Sequence, residues 1–550
     1  MDKTMWQSYP RPQLKRDGYK ILNGTWKMNG RDIQVPFPPQ SYLSGYICEE
    51  VGEHLVYETM FKIPREFNKP CVRIHFGAVD EVAKVYINGT FVGEHEGGYL
   101  PFSFDITNFI DWKKENKLRV EVTDTLSRKY PYGKQSKKRG GMWYTPVSGI
   151  WQTVWLENIS KNPIESIKIT PYLDSIEIEL SANTKGFNAV ATGKNGIAAQ
   201  KTFEQNKGRL PIKNPILWTM ENPHLYDLRI TTMDDDITSY FALRVVEIER
   251  VDGINRVCLN GKPIFMHGVL DQGYFENGLY LPRDEKGFEE DILRMKELGY
   301  NTLRKHLKIE PENFYYACDK LGMLVMQDMV NNGGYSYLLD TVLPTIGLKN
   351  RDDTKGRYTK DAETKQIFEQ HMCDTLKQLY NHPCIIGYTI FNEGWGQFES
   401  DRMYEIAKTI DDTRFYDTTS GWFAQTKSDV DSEHVYFRSA KLQPKKRPML
   451  LSECGGFAYK VENHLFHSEK TYGYGECKSV DELTNRIVSM YEAMVIPSIK
   501  NGLCGCIYTQ LSDVEEEING MYTYDRKVCK VDKAKMQKLA IQIMEQLEEN

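Results

Sequence analysis

Ile385-Ile386-Gly387-Tyr388-Thr389-Ile390-Phe391-Asn392-Glu393-Gly394 is an apolar run that breaks off in Asn-Glu-Gly. Apolar residues that continue rather than alternate mark a strand covered on both faces. Glu393 then stands where that strand leaves the core. Pro448-Met449-Leu450-Leu451-Ser452-Glu453-Cys454-Gly455-Gly456 repeats the design, delivering Glu453 to the end of a second apolar run. Strands of a parallel barrel converge by their C-termini on one face, where catalytic residues collect. Two carboxylates there can flank a scissile glycosidic bond, one as acid/base and one as nucleophile. A single Glu after a strand is ordinarily a solvated loop residue. Two in the same setting, both followed by glycine, argue for a site. Asn392 can hydrogen-bond a sugar hydroxyl, and Trp395 can wall a pyranose ring.

Around these two strands the chain alternates strand and helix from about residue 249. Strands are expected at 263–270, 302–304, 324–326, 385–392, 415–419, 434–437, 448–452 and 503–508. Amphipathic helices are expected at 285–298, 313–321, 362–380, 404–410, 482–499 and 533–547. Eight such units in about 300 residues have the repeat and size of a (β/α)₈ TIM barrel. Residues 331–360, rich in Gly and Asp, read as a long loop rimming its mouth.

Upstream the pattern is all-β. Residues 1–160 contain short alternating strands at 22–28, 57–63, 72–76, 83–87, 117–122 and 151–156, with Asn88-Gly89 as a hairpin turn. This is a jelly roll or sandwich. The run from Ser127 to Trp143 carries Arg, Lys and Gly and reads as a solvated loop. Residues 161–248 hold further alternating strands, the size of an immunoglobulin-like sandwich without its Cys-Trp-Cys signature. The catalytic barrel takes 249–550.

The 550 residues exceed what one core supports, and a net charge of −6 supplies no basic field for nucleic acid. The 11 cysteines are odd in number and unpaired in spacing, which favours a reducing compartment and argues against a zinc site. No cofactor or metal is expected. The N-terminus lacks an apolar leader and no stretch is long enough to span a membrane, so a cytoplasmic protein is expected, with a trimmed signal peptide left open. The expected partner is a small oligosaccharide or glycoside, with no nucleic acid and no membrane; homo-oligomerisation is compatible.

At Phe391-Asn392-Glu393-Gly394-Trp395-Gly396 and Ser452-Glu453-Cys454-Gly455-Gly456 the chain resembles glycoside hydrolase family 2, which includes β-galactosidases, β-glucuronidases and β-mannosidases. The resemblance runs the whole length, since the family carries a jelly-roll domain, an immunoglobulin-like domain and a barrel in this order. It implies an acid/base at Glu393 with Asn392 beside it, a nucleophile at Glu453, and retention of configuration through a covalent glycosyl-enzyme. Asn301-Thr302-Leu303-Arg304-Lys305-His306 is similar to the family's second-strand signature and brings Arg304 into the site. Gly149-Ile150-Trp151-Gln152 is similar to its jelly-roll motif. There are departures. Family β-glucuronidases grip the uronic carboxylate with Asn-x-Lys-Gly, whereas this chain has Glu517-Ile518-Asn519-Gly520, whose Glu would repel a carboxylate. Residues 267–274 lack the Asn-Arg-His-Glu of better-known members. Strand eight ends in Tyr508-Thr509-Gln510 where many have Trp.

Glu393 must carry a proton to the leaving oxygen, and Glu453 must stay ionised, helped by Arg304. His434 and Tyr436 are candidates for holding Glu453. Asp328, Asp271 and Gln272 are candidates for sugar hydroxyls, and Tyr508 for a sugar platform or for packing. Trp422 is a weaker aromatic candidate. The leading expectation is a retaining exo-β-glycosidase for a terminal neutral sugar, β-galactosidase-like. A mannose- or arabinose-specific enzyme and a non-catalytic carbohydrate-binding barrel are the alternatives; no ligand spacing supports a metal-dependent hydrolase.

Overall fold

A computed structural model describes residues 5–48, 50–343, 352, 361–421, 423, 426–436, 442, 445–467 and 469–549. Trp422, Phe437 and most of 344–360 lie outside the described residues.

The N-terminal region is a sandwich. A six-stranded sheet contains Gly24–Met28, His54–Lys62 and Glu115–Thr123, and a four-stranded sheet contains Cys71–Phe76 and Val154–Ile159. Their alternating apolar residues form one core, with Trp26, Tyr57, Ile74, Val85 and Val120 at its centre. Asn88 and Gly89 close a hairpin at φ 51° and 84°, the left-handed pair that Asn-Gly adopts most readily. The strand expected over 151–156 instead breaks. Gly149–Ile150 pairs with Val79–Asp80, and regular pairing resumes at Val154. Between them Trp151 turns its ring away to pack 5.0 Å from Tyr280 of the barrel region.

The second sandwich has three strands facing four, with its own core around Ile178, Leu210, Tyr226 and Phe241.

The barrel strands run in the order five, four, three, two, one, eight, seven, six, all parallel. They are Met266–Asp271, Thr302–Lys305, Leu324–Asp328, Ile385–Asn392, Phe415–Ser420, Asp431–Val435, Met449–Gly455 and Leu503–Thr509. The ring is laddered everywhere except between strands five and six, where Ser432 Oγ donates to Asp417 Oδ1 at 2.9 Å. Strand four is buried along its whole length, as its unbroken apolar run requires. The helix expected over 482–499 is Val480–Met490, then a wider π turn at Tyr491–Val495, then Ile496–Ile499. Pro497 explains the interruption, because it has no N–H to continue the α-helical ladder. No helix among the described residues is long and apolar enough to cross a membrane.

Candidate active site

The site is assembled around Arg304. It projects from strand two with its side chain fully buried, and its guanidinium fork binds four other strands. Nε donates to Asp328 Oδ1 at 3.0 Å, on strand three, and Nη2 to Asn392 Oδ1 at 2.8 Å, on strand four. Nη2 also reaches Ser420 Oγ on strand five at 3.2 Å, and Nη1 reaches Glu453 Oε1 on strand seven at 2.9 Å. A buried guanidinium needs such complete pairing, since an unpaired one would cost several kcal/mol of desolvation, of the order of a domain's margin of stability.

Glu453 is fixed at both oxygens. Arg304 holds Oε1, and the Tyr436 hydroxyl donates a short hydrogen bond to Oε2. Tyr436 OH also lies 3.1 Å from Thr509 Oγ1 at the end of strand eight. Burial alone would raise the carboxyl; His434, Arg304, His306 and Tyr436 outweigh it and hold Glu453 at about 2. It is a permanent carboxylate near neutral pH.

Glu393 lies just past the end of strand four, in a left-handed backbone conformation at φ 49°. That is a costly state for a residue with a side chain, and it turns the carboxylate back over the barrel. Gly394 follows at φ 74°, where a Cβ would sit 2.7 Å from the Phe423 ring. His434 Nδ1 is 2.7 Å from Glu393 Oε1 and 3.6 Å from Glu453 Oε2. Its main partner is therefore Glu393, not Glu453 as expected. Burial lowers the imidazole, but Glu453 and Glu393 outweigh it and raise it above its ordinary value.

Other expected residues fall differently. Asp328 is in the cluster, but it is fully buried behind Arg304, which holds one of its oxygens, and His306 Nδ1, which lies 2.7 Å from the other. It is a positioning residue. Asp271 is not in the cluster. It is aligned with Lys305 while Leu270 is aligned with Arg304, so it faces the helix layer when Arg304 faces the lumen. There it pairs with Lys305 Nζ at 2.6 Å, inside a network that includes Glu310 and Lys308. Gln272 follows it, buried, without a hydrogen bond to either glutamate. Tyr508 points away as well: its hydroxyl accepts from Phe457 N at 3.2 Å and its ring lies against Gly455. Packing, not a platform, is its role. Trp395 is at the mouth but is 1% exposed, because Trp143 stacks on it at 5.2 Å and Tyr335 meets it edge-on at 4.9 Å.

The loop read as a solvated face is the largest correction. Trp143, Lys134 and Tyr144 reach the barrel mouth, where Tyr144 donates a short hydrogen bond to Glu517 and Lys134 Nζ sits 4.9 Å from the Trp395 ring centre. His306, Ser420, Asp417 and Tyr474 were also not singled out. The polar run Asp417-Thr418-Thr419-Ser420 at the end of an expected barrel strand was the available signal for two of them, and the structure buries that run throughout. Burial raises Asp417 to about 6 against the pull of Arg304.

Glu393, His434 and Glu453 each present a ligand atom within 4.8 Å of the others, and so do Asp80, Glu81 and Asp124 in the N-terminal sandwich. In the first trio His434 lies between the two carboxylates, whose charges raise it above its ordinary value.

A (β/α)₈ barrel with buried glutamates at the ends of strands four and seven, preceded by two β-sandwiches, defines a paired-carboxylate barrel protein. Residues 22–159 match the model of the glycosyl hydrolases family 2 sugar binding domain, 163–244 that of glycosyl hydrolases family 2, and 247–455 that of the family's TIM barrel domain. The chain belongs to glycoside hydrolase family 2. It is 26% identical over 489 residues to a β-galactosidase of Thermoanaerobacter pseudethanolicus, covering 82% of this chain and 60% of that protein. With a β-galactosidase of Thermoanaerobacterium thermosulfurigenes it shares 28% over 390 residues, covering 65% and 49%. The chain thus spans about half the length of these curated relatives. Among solved structures, a β-D-glucuronidase of Dictyoglomus thermophilum superposes with a TM-score of 0.75 at 19% identity, covering 98% of each chain. A Ruminococcus gnavus β-glucuronidase gives 0.77 at 17%, covering 100% of each.

Proposed function

We propose that this protein is a retaining exo-β-glycosidase acting on a terminal neutral sugar, β-galactosidase-like in its preference. The observation that carries the reading is the separation of the carboxylates. Oxygens of Glu393 and Glu453 lie within 4.8 Å of each other, the spacing of retaining enzymes (about 5 Å) and too close for the roughly 6.5–9.5 Å that an inverting enzyme needs for its water.

Glu453 attacks the anomeric carbon, and the bond to the leaving oxygen breaks. Glu393 gives that oxygen its proton, so a neutral alcohol departs and a glycosyl ester remains on Glu453. Glu393, now a carboxylate, takes a proton from water; the hydroxide attacks the anomeric carbon and Glu453 leaves as carboxylate. Glu393 thereby regains the proton it gave up, and His434, whose Nδ1 lies 2.7 Å from Glu393 Oε1, orients it through both steps. Arg304 and Tyr436 keep Glu453 ionised and aimed. Asn392 offers its amide N–H to the sugar 2-hydroxyl, its Oδ1 being occupied by Arg304 and Ser420.

The neutral sugar is supported by Glu517. It is 4% exposed, bonded by Tyr144 and by Asn519 Nδ2 at 2.9 Å, and together with Glu393 it acts on Tyr474 beside Tyr436. A uronic carboxylate beside it would be repelled. Most of the sequence relatives are named β-galactosidases and support this reading, although one, 27% identical over 359 residues, is named a putative β-glucuronidase; the glucuronidase structures are under 20% identical, a likeness of fold alone. Nitrophenyl β-galactoside should be hydrolysed at least about tenfold more efficiently in kcat/KM than the β-glucuronide, a difference of about 1.4 kcal/mol. NMR of the first-formed sugar should show the β-anomer. An α-anomer, or equal efficiency on the two glycosides, would refute mechanism or specificity respectively.

A further inference from the structure

Among the described residues, Lys134 is a cation at the mouth that the proposed chemistry does not use. Lys134 enters from the N-terminal sandwich, on the loop whose Tyr144 N donates to Lys134 O at 3.0 Å. The residue is only 8% exposed, and its ammonium lies 4.9 Å from the Trp395 ring centre. Its charge also reaches His306, which burial in the first place and Lys134 in addition push down. Among the described residues Lys134 makes no ion pair and its ammonium donates no hydrogen bond. An ammonium held against an indole at the mouth, with no ion pair among the described residues, leaves its charge open to an anionic partner from outside.

The position of that partner follows from Trp395. It stands two residues beyond Glu393, the group assigned to protonate the leaving oxygen, and its backbone N–H donates to Asn392 O at 2.8 Å. Glu517 lies elsewhere, beside Tyr474, which packs 4.7 Å from Tyr436 of the nucleophile's shell. The mouth is therefore negative on the nucleophile's flank and positive on that of the acid/base. We propose that Lys134 is a specificity-determining residue that binds an anionic group, a carboxylate or a sulfate ester, on the unit from which the terminal sugar is released. The substrate class is then a neutral sugar β-linked to an acidic saccharide. This assignment rests on the glycosidase reading for its orientation.

The test is binding, which needs no turnover. Three thio-linked disaccharides are titrated calorimetrically at low salt: galactosyl-glucuronic acid, its methyl ester, and galactosyl-glucose 6-sulfate. The wild-type protein should bind one of the two anionic ligands at least about tenfold more tightly than the ester, equivalent to 1.4 kcal/mol. The preferred one identifies the source of the charge. Lys134→Met should abolish the preference while moving the ester's Kd less than about threefold, and Lys134→Arg should retain it. Equal affinity for all three, binding of none, or a preference that survives Lys134→Met overturns the proposal. Hydrolysis of aryl β-glycosides is assayed in parallel: its absence refutes the glycosidase reading, whereas hydrolysis with no anionic preference refutes only the role of Lys134.

Discussion

Two carboxylates in one mouth are given different tasks by their neighbours. Glu453 is gripped by Arg304 and Tyr436, and Glu393 by His434 alone among the described residues. The division has a direct test. Glu453→Ala should lose activity on every leaving group, by about 10⁴-fold or more, because no covalent intermediate can form. Glu393→Ala should still cleave a dinitrophenyl glycoside in the first step, since that phenolate needs no proton, then stall. The glycosyl-enzyme should accumulate, with its mass on Glu453, and azide should restore turnover and yield a β-glycosyl azide. An α-azide, or a label on another residue, would reverse the assignment. A second prediction concerns pH. A carboxylate held near 2 is lost as nucleophile only when pH falls toward that value, so Glu453 should not set the acid limb of kcat/KM above about pH 3. His434→Asn removes a charge that opposes its protonation. The Glu453 carboxyl should then titrate higher than in the wild type, read directly by carbon-13 NMR of the labelled carboxyl. An unchanged Glu453 titration in that variant would show that His434 does not hold it down. At this scale the glutamates were legible because each ends an apolar strand, and Arg304 through the likeness of residues 301–306 to the family's second-strand signature. The pairing of His434 with Glu393 was not, because it depends on where strand six lies against strand four.

Elements were most legible where one physical cause acted alone. Strand four is buried on both faces and reads as continuous apolar residues; helix 533–548 is amphipathic and reads by its period. Elements with two duties were read less well. Residues 151–153 interrupt a strand so that Trp151 can face the barrel, and strand one carries Asp271 toward Lys305, where alternation alone cannot say which face is the lumen. The basic loop was misread for the same reason: Lys and Arg are as common on a solvated face as on the wall of a polar cleft, and only packing separates the two. Trp143 makes that wall testable. Its ring lies 5.2 Å from Trp395 at an interplanar angle of 18°, and such a pair contributes about 0.5–1.5 kcal/mol beyond the area it buries. Trp143→Ala should free Trp395, and with it the turn that carries Glu393. A fall of about tenfold in kcat/KM, with circular dichroism and melting little changed, is expected. Wild-type kinetics in that variant would show that the loop merely covers the mouth.

The three regions form one working unit, because the barrel's apolar surface does not end at the barrel. Trp6, Tyr99, Tyr144, Trp151 and Trp218 all precede the barrel, yet each is at most 2% exposed and belongs to the same core as strands one to eight. Tyr99 OH lies 2.8 Å from Tyr280 OH, and Trp218 Nε1 donates to Asp319 O at 2.8 Å, so the shared core is cross-bonded as well as apolar. Burying one large apolar side chain contributes about 1.5–3 kcal/mol. Five of them together rival the roughly 5–15 kcal/mol by which a domain is stable at all. A chain beginning at Arg250 keeps Arg304, Glu393, His434 and Glu453 but exposes the surface those rings cover, and it loses Lys134, Trp143 and Tyr144 from the mouth. It should be aggregation-prone or, where soluble, a loosely packed state that binds a hydrophobic dye. Any soluble fraction should have kcat/KM below the full chain by about 10²-fold or more, since displacing residues that border the chemistry by about 1 Å already costs that much. Dye binding, near-ultraviolet circular dichroism and hydrolysis of a dinitrophenyl glycoside measured on the two chains decide it. A truncated barrel that melts cooperatively and matches the full chain's kcat/KM would show that the β-domains are accessory and that the residues they lend to the mouth do no chemical or positioning work.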